Sequence, residues 1–220
     1  MKKINKEVII SIFLIIISIV YTIMVAKIDV RSIGPNNSFV GFSTVNKFFA
    51  DLIGTNKLLY KVTEIFGLLA ILIALLYGLK GLIQLIKRKN ILKVNKELLA
   101  VGTLYIVVIM IYVFFEKIII NYRPVLIDGE LEASYPSSHT MLAICICGSA
   151  LIINKYLFKN HKFVKYYNTY IVILMVAIVL GRFLSGYHWF SDIIGGIIIS
   201  LALLQSFKSI LMYINKDFGK

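Results

Sequence analysis

The sequence predicts an all-α fold, a polytopic membrane protein built as a bundle of six transmembrane helices. The 220 residues are 59% hydrophobic, with a mean hydropathy of +0.86, whereas soluble domains are usually close to half apolar. Six apolar runs reach or approach the length of about 20 residues that a helix needs to cross a bilayer. The formal net charge is +13, and the basic residues lie mainly between these runs. This placement favours a membrane surface over a nucleic-acid partner.

The six predicted spans follow one another with no Gly/Ser-rich linker, low-complexity tract or internal repeat between them. We therefore expect a single membrane-embedded domain, residues 1–220. The fourth and fifth runs contain fewer consecutive apolar residues than the others, so the ends of these helices must include polar flanking residues. The predicted spans are Val8–Ala26, Val62–Ile86, Leu98–Phe115, Thr140–Ile153, Tyr170–Leu180 and Asp192–Ile214.

The charged segments between the spans indicate the orientation of the chain. Lys2, Lys3 and Lys6 precede the first span, an arrangement that resembles a secretory signal. The apolar run that follows exceeds the about 7–15 residues of such a signal, so we expect it to remain as an uncleaved span. Lysine and arginine are clearly more numerous in the two terminal segments and the second and fourth loops than in the other loops. The positive-inside rule then places both termini in the cytoplasm.

The first outer loop contains a periodic segment that predicts a short amphipathic helix at the outer membrane interface. Ser43 is a candidate N-cap, and Gly54 follows the last periodic residue, as is typical of helix ends. Two roles remain open for this helix, namely packing against the bundle or forming a lip over a lipid-entry cleft. Its apolar residues, at positions i, i+3, i+4, i+7 and i+8, are Val45, Phe48, Phe49, Leu52 and Ile53.

Small residues on the fourth and last spans predict a close contact between these two helices, because small side chains let helix backbones approach each other in a membrane. Cys145 and Cys147 point to different faces of the fourth span, so we expect no disulfide and assign both to packing. The small residues expected at the contact are Gly195, Gly196 and Ser200 on the last span and Ala143, Cys147 and Ala150 on the fourth.

The stretch Gly181–Asp192, between the last two apolar runs, carries residues suited to phosphate chemistry. His188 and Asp192 are at i and i+4, so on one helix face the carboxylate can accept one imidazole N–H and leave the other nitrogen with a free lone pair. Arg182 adds a planar, permanently charged fork that matches phosphate oxygens. Taken alone, the stretch is equally compatible with a structural ion pair at the end of a span.

The third outer loop begins with a second group of candidate residues. Lys117 and Arg123 stand at its start. Pro124 disfavours the helical conformation of the residue before it, so we expect the third span to unwind there. The acidic residues of the loop are interpreted as a solvated run rather than a metal site, and no metal is expected. These residues are Asp128, Glu130 and Glu132.

The same loop ends in a hydroxyl-rich turn, Pro136, Ser137, Ser138 and His139, that leads into the fourth span. Free backbone N–H groups and the positive end of the helix dipole make such a helix start suitable for binding phosphate. By itself, either serine is an ordinary helix cap. His139 faces the same compartment as His188, which favours one shared site.

These three stretches resemble the signature of the type 2 phosphatidic acid phosphatase superfamily, membrane lipid phosphate phosphatases related to the vanadium haloperoxidases. The family motifs K-x6-R-P, P-S-G-H and S-R-x5-H-x3-D correspond here to stretches that begin at Lys117, Pro136 and Gly181. Ser138 replaces the family glycine, and Gly181 replaces the family serine. Five residues instead of six separate Lys117 from Arg123, which places the lysine about 120° away around a helix. The role of Lys117 is therefore the least direct.

The resemblance implies a phosphatase that uses no metal and no cofactor and works through a phosphohistidine. His188, oriented by Asp192, would attack phosphorus, while His139 would protonate the leaving oxygen and later activate water. Charge on the phosphate oxygens would be stabilised by the remaining candidates. These are Lys117, Arg123, Ser137, Ser138 and Arg182.

The expected substrate is a membrane lipid phosphate, reached at the outer face of the cell membrane, and no nucleic-acid partner is expected. Undecaprenyl pyrophosphate ranks first, because its pyrophosphate offers more anionic oxygens to the basic residues and a good leaving group. Phosphatidylglycerophosphate or phosphatidic acid is the alternative, since no residue excludes a two-tailed lipid. A lipid-phosphate transporter is a rival of another class, but transporters usually bind near the midplane, and these candidates lie at span ends. The oligomeric state stays open.

Overall fold

The computed structural model describes residues 2–158 and 160–214, and within these residues the chain forms seven α-helices and no β-strand. The predicted all-α class is confirmed. Lys159, Lys216 and Lys220, which contribute to the expected orientation, lie outside the described residues. The helices are α1 Lys2–Lys27, α2 Ser43–Ile53, α3 Lys57–Arg88, α4 Lys96–Lys117, α5 Ser138–Leu157, α6 His161–Leu184 and α7 Phe190–Ile214.

Five of the described helices, α1, α3, α4, α6 and α7, are long and apolar enough to cross a membrane. The sixth predicted span corresponds to α5, whose apolar part, Ser138–Asn154, is shorter. Residues 143–150 of α5 are all buried, because α3, α4, α6 and α7 pack around this helix. A helix enclosed by other helices presents little surface to lipid, which explains why its sequence contains the shorter apolar run.

The long helices alternate in direction, so that one end of the bundle collects the start or end of every one of them. We call this the site end. There, the Tyr21 hydroxyl near the end of α1 donates to the Ser191 carbonyl at the start of α7 (3.2 Å). At the opposite end, Glu7 of α1 accepts a hydrogen bond from Gln205 (2.6 Å) and pairs with Lys208 of α7 (3.0 Å). The loops that carry the sequence motifs all lie at the site end.

The short helix expected in the first loop is α2, and its apolar side faces outward. Phe48 and Leu52 are exposed, whereas Asn46 is fully buried. Phe49 stacks on the bundle, with its ring centroid 4.3 Å from that of Phe190, and the half-buried Ile53 lines a small pocket beside it. Gly54 ends the helix as predicted, with φ of 65°. Ser43 does not cap α2, because it lies inside the first turn and its hydroxyl donates to a backbone carbonyl of the preceding loop.

Helices α5 and α7 pack closely, as expected, and Gly196 and Ser200 lie at the contact on α7. On α5 the contacting residues include Thr140 and Met141, whereas the expected Ala143 borders a cavity with α3. A Cβ on Gly195 would lie 2.4 Å from the Tyr135 ring, and a Cβ on Gly196 would lie 3.1 Å from the Ser137 carbonyl oxygen. The Ser200 hydroxyl donates to the Met141 carbonyl at 3.3 Å. The cysteines of α5 are buried and unbridged, as predicted. This contact holds the start of α7 against the start of α5, where the candidate residues lie.

Candidate active site

The loop between α4 and α5 folds back on itself as a hairpin. Asp128 and Gly129 occupy its turn with positive φ values of 49° and 89°, the conformation that favours Asp-Gly in two-residue hairpins. The returning segment brings Glu132 beside Arg123, with 3.0 Å between the carboxylate and Nε. The Glu132 side chain is 44% exposed, as expected for a solvated residue, but the hairpin also pairs it with a candidate phosphate-binding arginine, which the sequence interpretation missed.

The loop between α6 and α7 carries His188 and is anchored to the start of α3. Gly186 has a φ of 70°, and a Cβ there would lie 1.9 Å from the Gly54 carbonyl oxygen. The Asn56 backbone N–H donates to the Ser185 carbonyl at 2.9 Å. Only glycine combines this φ with such a close approach. The contact fixes the loop and the direction of the histidine that follows it.

His188 is buried at the centre of the site, and both of its ring nitrogens have partners. Nε2 lies 3.1 Å from Nη1 of Arg123, and Nδ1 lies 3.1 Å from Oγ of Ser134. A guanidinium can only donate, so Nε2 accepts and Nδ1 carries the proton in this arrangement. The tautomer leaves the lone pair of Nε2 directed toward the arginine.

Asp192 supports His188 through a serine rather than directly. Nδ1 of His188 is 4.0 Å from the Asp192 carboxylate, beyond hydrogen-bond range. The Ser134 hydroxyl stands between them and donates to Asp192 Oδ2 at 2.5 Å. The direct bond expected from helical spacing does not form, because α7 begins only at Phe190 and His188 lies in the preceding loop.

Two asparagines behind the site hold Asp192 and the neighbouring Ser191. Asn121 donates to Oδ1 of Asp192 at 3.0 Å and accepts from the Gly41 backbone N–H at 2.9 Å. Asn46 of α2 donates to the Ser191 hydroxyl and accepts from the Ser191 backbone N–H, at 2.8 and 3.0 Å. Sequence reasoning missed both asparagines. For Asn46, the signal in the sequence was a polar residue inside the periodic segment of α2. That signal does not reveal that Ser191 is the partner of Asn46.

The pKa of His188 lies well below its usual value. Burial in the site is the main cause, and the positive charges of Arg123 and Arg182 act in the same direction. Both effects disfavour the imidazolium form. His188 is therefore neutral near neutral pH, which is the state in which Nε2 can act as a nucleophile.

The second arginine and the second histidine of the motifs meet on a carboxylate from α3. Arg182 is fully buried, and its Nη2 forms an ion pair with Oε1 of Glu64. Nε2 of His139 lies 3.4 Å from the same oxygen. Nε and Nη1 of Arg182 and Nδ1 of His139 have no hydrogen-bond partner among the described residues. Sequence reasoning missed Glu64, which stands near the start of the second predicted span.

The two serines of the second motif differ in their environment. Ser137 is buried, its backbone N–H donates to the Asp192 carbonyl at 3.0 Å, and its hydroxyl has no partner in the described part of the chain. Ser138 begins α5 and lines a narrow cleft together with Arg123 and His188. The cleft brings hydroxyl, guanidinium and imidazole groups to one place.

Lys117 lies outside this cluster. It is exposed in the last turn of α4. Within the described residues, no hydrogen bond or ion pair joins it to another candidate. The structure therefore brings together seven of the eight candidates at the site end and leaves Lys117 at the edge. The seven are Arg123, Ser137, Ser138, His139, Arg182, His188 and Asp192.

A buried neutral histidine, two arginines and a second histidine lie together at the site end, an arrangement suited to binding a phosphate group. In the part of the chain that the structure describes, no three His, Cys, Asp or Glu side chains are grouped as metal ligands. The family model described as PAP2 superfamily matches residues 97–216. The chain belongs to this superfamily, the type 2 phosphatidic acid phosphatases, and it is a lipid phosphate phosphatase by class.

Comparison with solved structures supports the fold. The chain is similar to a crystal structure described as the first transmembrane PAP2 type phosphatidylglycerolphosphate phosphatase from Bacillus subtilis. The TM-score is 0.60 at 19% sequence identity, and the similarity covers 94% of this chain and 98% of that one. No curated protein sequence matches the chain.

Proposed function

We propose that the chain hydrolyses the phosphate ester or anhydride bond of a membrane lipid through a phosphohistidine on Nε2 of His188. The observation that carries this proposal is the neutral, buried His188, whose Nε2 lone pair accepts from the Arg123 guanidinium and becomes available when an anion takes over that guanidinium. Nη1 of Arg123 lies 3.1 Å from that nitrogen, so an anion that binds this guanidinium would be brought next to Nε2. The proton on Nδ1 remains bonded toward Ser134 and Asp192, which together stabilise the positive charge that develops on the ring.

The reaction proceeds in two displacements. First, the Nε2 lone pair attacks phosphorus, the bond from phosphorus to the lipid-side oxygen breaks, and His139 gives a proton to that oxygen. Then His139 takes a proton from water, the resulting hydroxide attacks phosphorus, and the P–N bond breaks with its electron pair returning to Nε2. No metal or cofactor enters either step.

Stabilisation of the phosphate oxygens is assigned to the remaining polar groups. Arg182 offers Nε and Nη1, which have no partner in the described chain, and Arg123 lies beside the nucleophile. Ser137 and Ser138 add hydroxyls and the start of α5. Such preorganised donors supply most of the catalysis in phosphoryl transfer. Lys117 is assigned a secondary role, reaching the anion along its flexible side chain.

We place the protein in the cell membrane with both termini in the cytoplasm and the site end outside, following the distribution of basic residues. The catalytic centre would then meet lipids whose phosphates lie in the outer leaflet. Undecaprenyl pyrophosphate remains our first candidate, because its pyrophosphate offers more oxygens to Arg123 and Arg182. Phosphatidylglycerophosphate is the second, supported by the similarity to the Bacillus subtilis enzyme named above.

Phosphate release from both lipids in the same mixed micelles tests this proposal. We expect turnover of at least one lipid in the presence of excess EDTA, inhibition by vanadate and complete loss of turnover in His188→Ala. A tenfold higher kcat/KM for the glycerophospholipid, about 1.4 kcal/mol of preference in the transition state, would reverse the ranking of substrates. Binding of lipid phosphates without any turnover would favour the transporter. Loss of activity on chelation, restored by magnesium or zinc, would contradict the metal-free mechanism.

A further inference from the structure

One face of α3 contacts the catalytic groups although α3 lies outside the region matched by the family model, residues 97–216. The face consists of Tyr60, Thr63, Glu64 and Gly67, at i, i+3, i+4 and i+7, the spacing of one helix surface. We call it the α3 face. None of its residues belongs to the three sequence motifs.

Two residues of the α3 face hold Arg182. The guanidinium carbon lies 4.6 Å from the centroid of the Tyr60 ring, within cation–π range. The Tyr60 ring in turn stacks on Tyr187, with 4.1 Å between centroids. Glu64 pairs with Nη2 of the same guanidinium. The arginine is therefore fixed on one side and one edge, and Nε and Nη1 remain free for an anion.

The same face also holds His139. Oε1 of Glu64, the oxygen that accepts from Arg182, lies 3.4 Å from Nε2 of the imidazole. A Cβ on Gly67 would lie 2.7 Å from Cδ2 of that ring, so the glycine leaves the space that the imidazole occupies. A cavity of about 120 Å³ borders Glu64, Gly67 and His139, which gives a leaving group room to approach the histidine.

The distance between α3 and α6 is set by another pair of small groups. A Cβ on Gly181 would lie 2.4 Å from Cγ2 of Thr63. A serine at this position, as in the family motif, would push the helices apart. Gly181, which stands where the family motif has serine, therefore permits the close approach of α3 and α6 that places Glu64 against Arg182.

We propose that Glu64 is a positioning residue of the catalytic centre, which holds Arg182 and His139 together so that both act on one phosphate. This inference rests on the proposed function. A purely structural ion pair would need only the arginine, since its role is to neutralise a buried charge. Here one carboxylate oxygen serves two motif residues from different helices, and the Glu64 side chain is 43% exposed.

The test compares Glu64→Gln and Glu64→Asp with Glu7→Gln. Glutamine keeps the shape of the side chain and one acceptor oxygen but removes the charge. Aspartate keeps the charge and shortens the reach. Glu7 is a matched control, because its carboxylate also joins two helices through an ion pair, at the end of the bundle opposite the site. Each purified variant is measured for kcat, KM, vanadate inhibition and thermal stability in the same detergent.

We expect Glu64→Gln to lower kcat by roughly ten- to a hundredfold, the cost of a misplaced catalytic group, with KM changed less than threefold. Vanadate inhibition should weaken by a similar factor, and Glu64→Asp should recover part of kcat. Glu7→Gln should leave kcat and KM unchanged. Gly67→Ala, which pushes on the His139 ring, should also lower kcat while Arg182 keeps its partner.

Two results would overturn the inference. One is a wild-type kcat in Glu64→Gln with lowered thermal stability, which would mark a structural ion pair. The other is a lower KM and stronger inhibition by vanadate in Glu64→Gln, which would mark the carboxylate as a competitor for the anion site. A wild-type protein that turns over no lipid phosphate would instead refute the proposed function, so the two failures are distinguishable.

Discussion

Replacement of Ser134 by alanine would remove the link between His188 and Asp192. The Ser134 hydroxyl accepts from Nδ1 of His188 at 3.1 Å and donates to the Asp192 carboxylate at 2.5 Å. Without it, the imidazole N–H has no acceptor within hydrogen-bond range, because the carboxylate lies 4.0 Å away. The imidazolium that forms during attack would then lack its partner.

The expected cost follows from these contacts. A hydrogen bond to a charged group contributes about 1.5–3 kcal/mol, and about 1.36 kcal/mol corresponds to a tenfold change in rate. Ser134→Ala should therefore lower kcat by roughly 10- to 150-fold, with little change in KM. The loss should stay below that of Asp192→Ala, because Asp192 retains its bonds to the Trp189 backbone N–H and to Asn121, both at 3.0 Å, and its charge still acts on the ring from 4.0 Å away.

The assay is the initial rate of phosphate release from the preferred lipid, together with rapid quenching to measure labelled phosphoenzyme. Ser11→Ala is the matched control, because Ser11 forms a buried 2.8 Å bond with Ser209 at the end of the bundle opposite the site. It should affect thermal stability but leave kcat unchanged. If Ser134→Ala keeps kcat within twofold of the wild type, the serine bridge has no part in catalysis.

Three further outcomes are expected. His188→Ala should form no phosphoenzyme, whereas His139→Ala should accumulate phosphoenzyme from a substrate with an activated leaving group. Labelled phosphate retained by His188→Ala after rapid quenching would refute the assignment of His188 as the nucleophile. Lys117→Ala should lower kcat/KM less than Arg123→Ala or Arg182→Ala does. Removal of a well-placed donor costs on the order of 2.7–4 kcal/mol of transition-state stabilisation, which is the loss expected for either arginine. An equal loss in Lys117→Ala would show that the lysine reaches the phosphate. Because burial and two arginines depress the pKa of His188, the folded protein binds fewer protons than the unfolded chain below about pH 6.5. The contribution of His188 to stability should therefore fall as the pH falls through this range. Thermal melting of the wild type and of His188→Gln at several pH values measures this effect. If acidification destabilised the wild type no more than it destabilised His188→Gln, the depressed pKa would be contradicted.

The amino-acid sequence by itself determined the membrane class, the alternating helices and the identity of the motif residues. Apolar run length and the distribution of charge are local properties of the chain, so α1, α3, α4 and α7 could be located without coordinates. The order and spacing of Arg182, His188 and Asp192 are equally local, and these features, with the other two motifs, led to the family that the family-model match confirms. The periodicity of α2 predicted the existence of that helix, but not which of its residues are buried.

Tertiary structure alone decided which residues support the motif residues. Ser134 and Asn121 reach Asp192 from the loop between α4 and α5, and Asn46 reaches the neighbouring Ser191 from α2. Glu64 reaches Arg182 from α3. These contacts depend on how each helix is rotated about its axis and how closely its neighbours approach, as Gly181 against Thr63 illustrates. Sequence spacing describes only neighbours along one helix. Contacts between residues about 70 to 145 positions apart arise only when the helices pack.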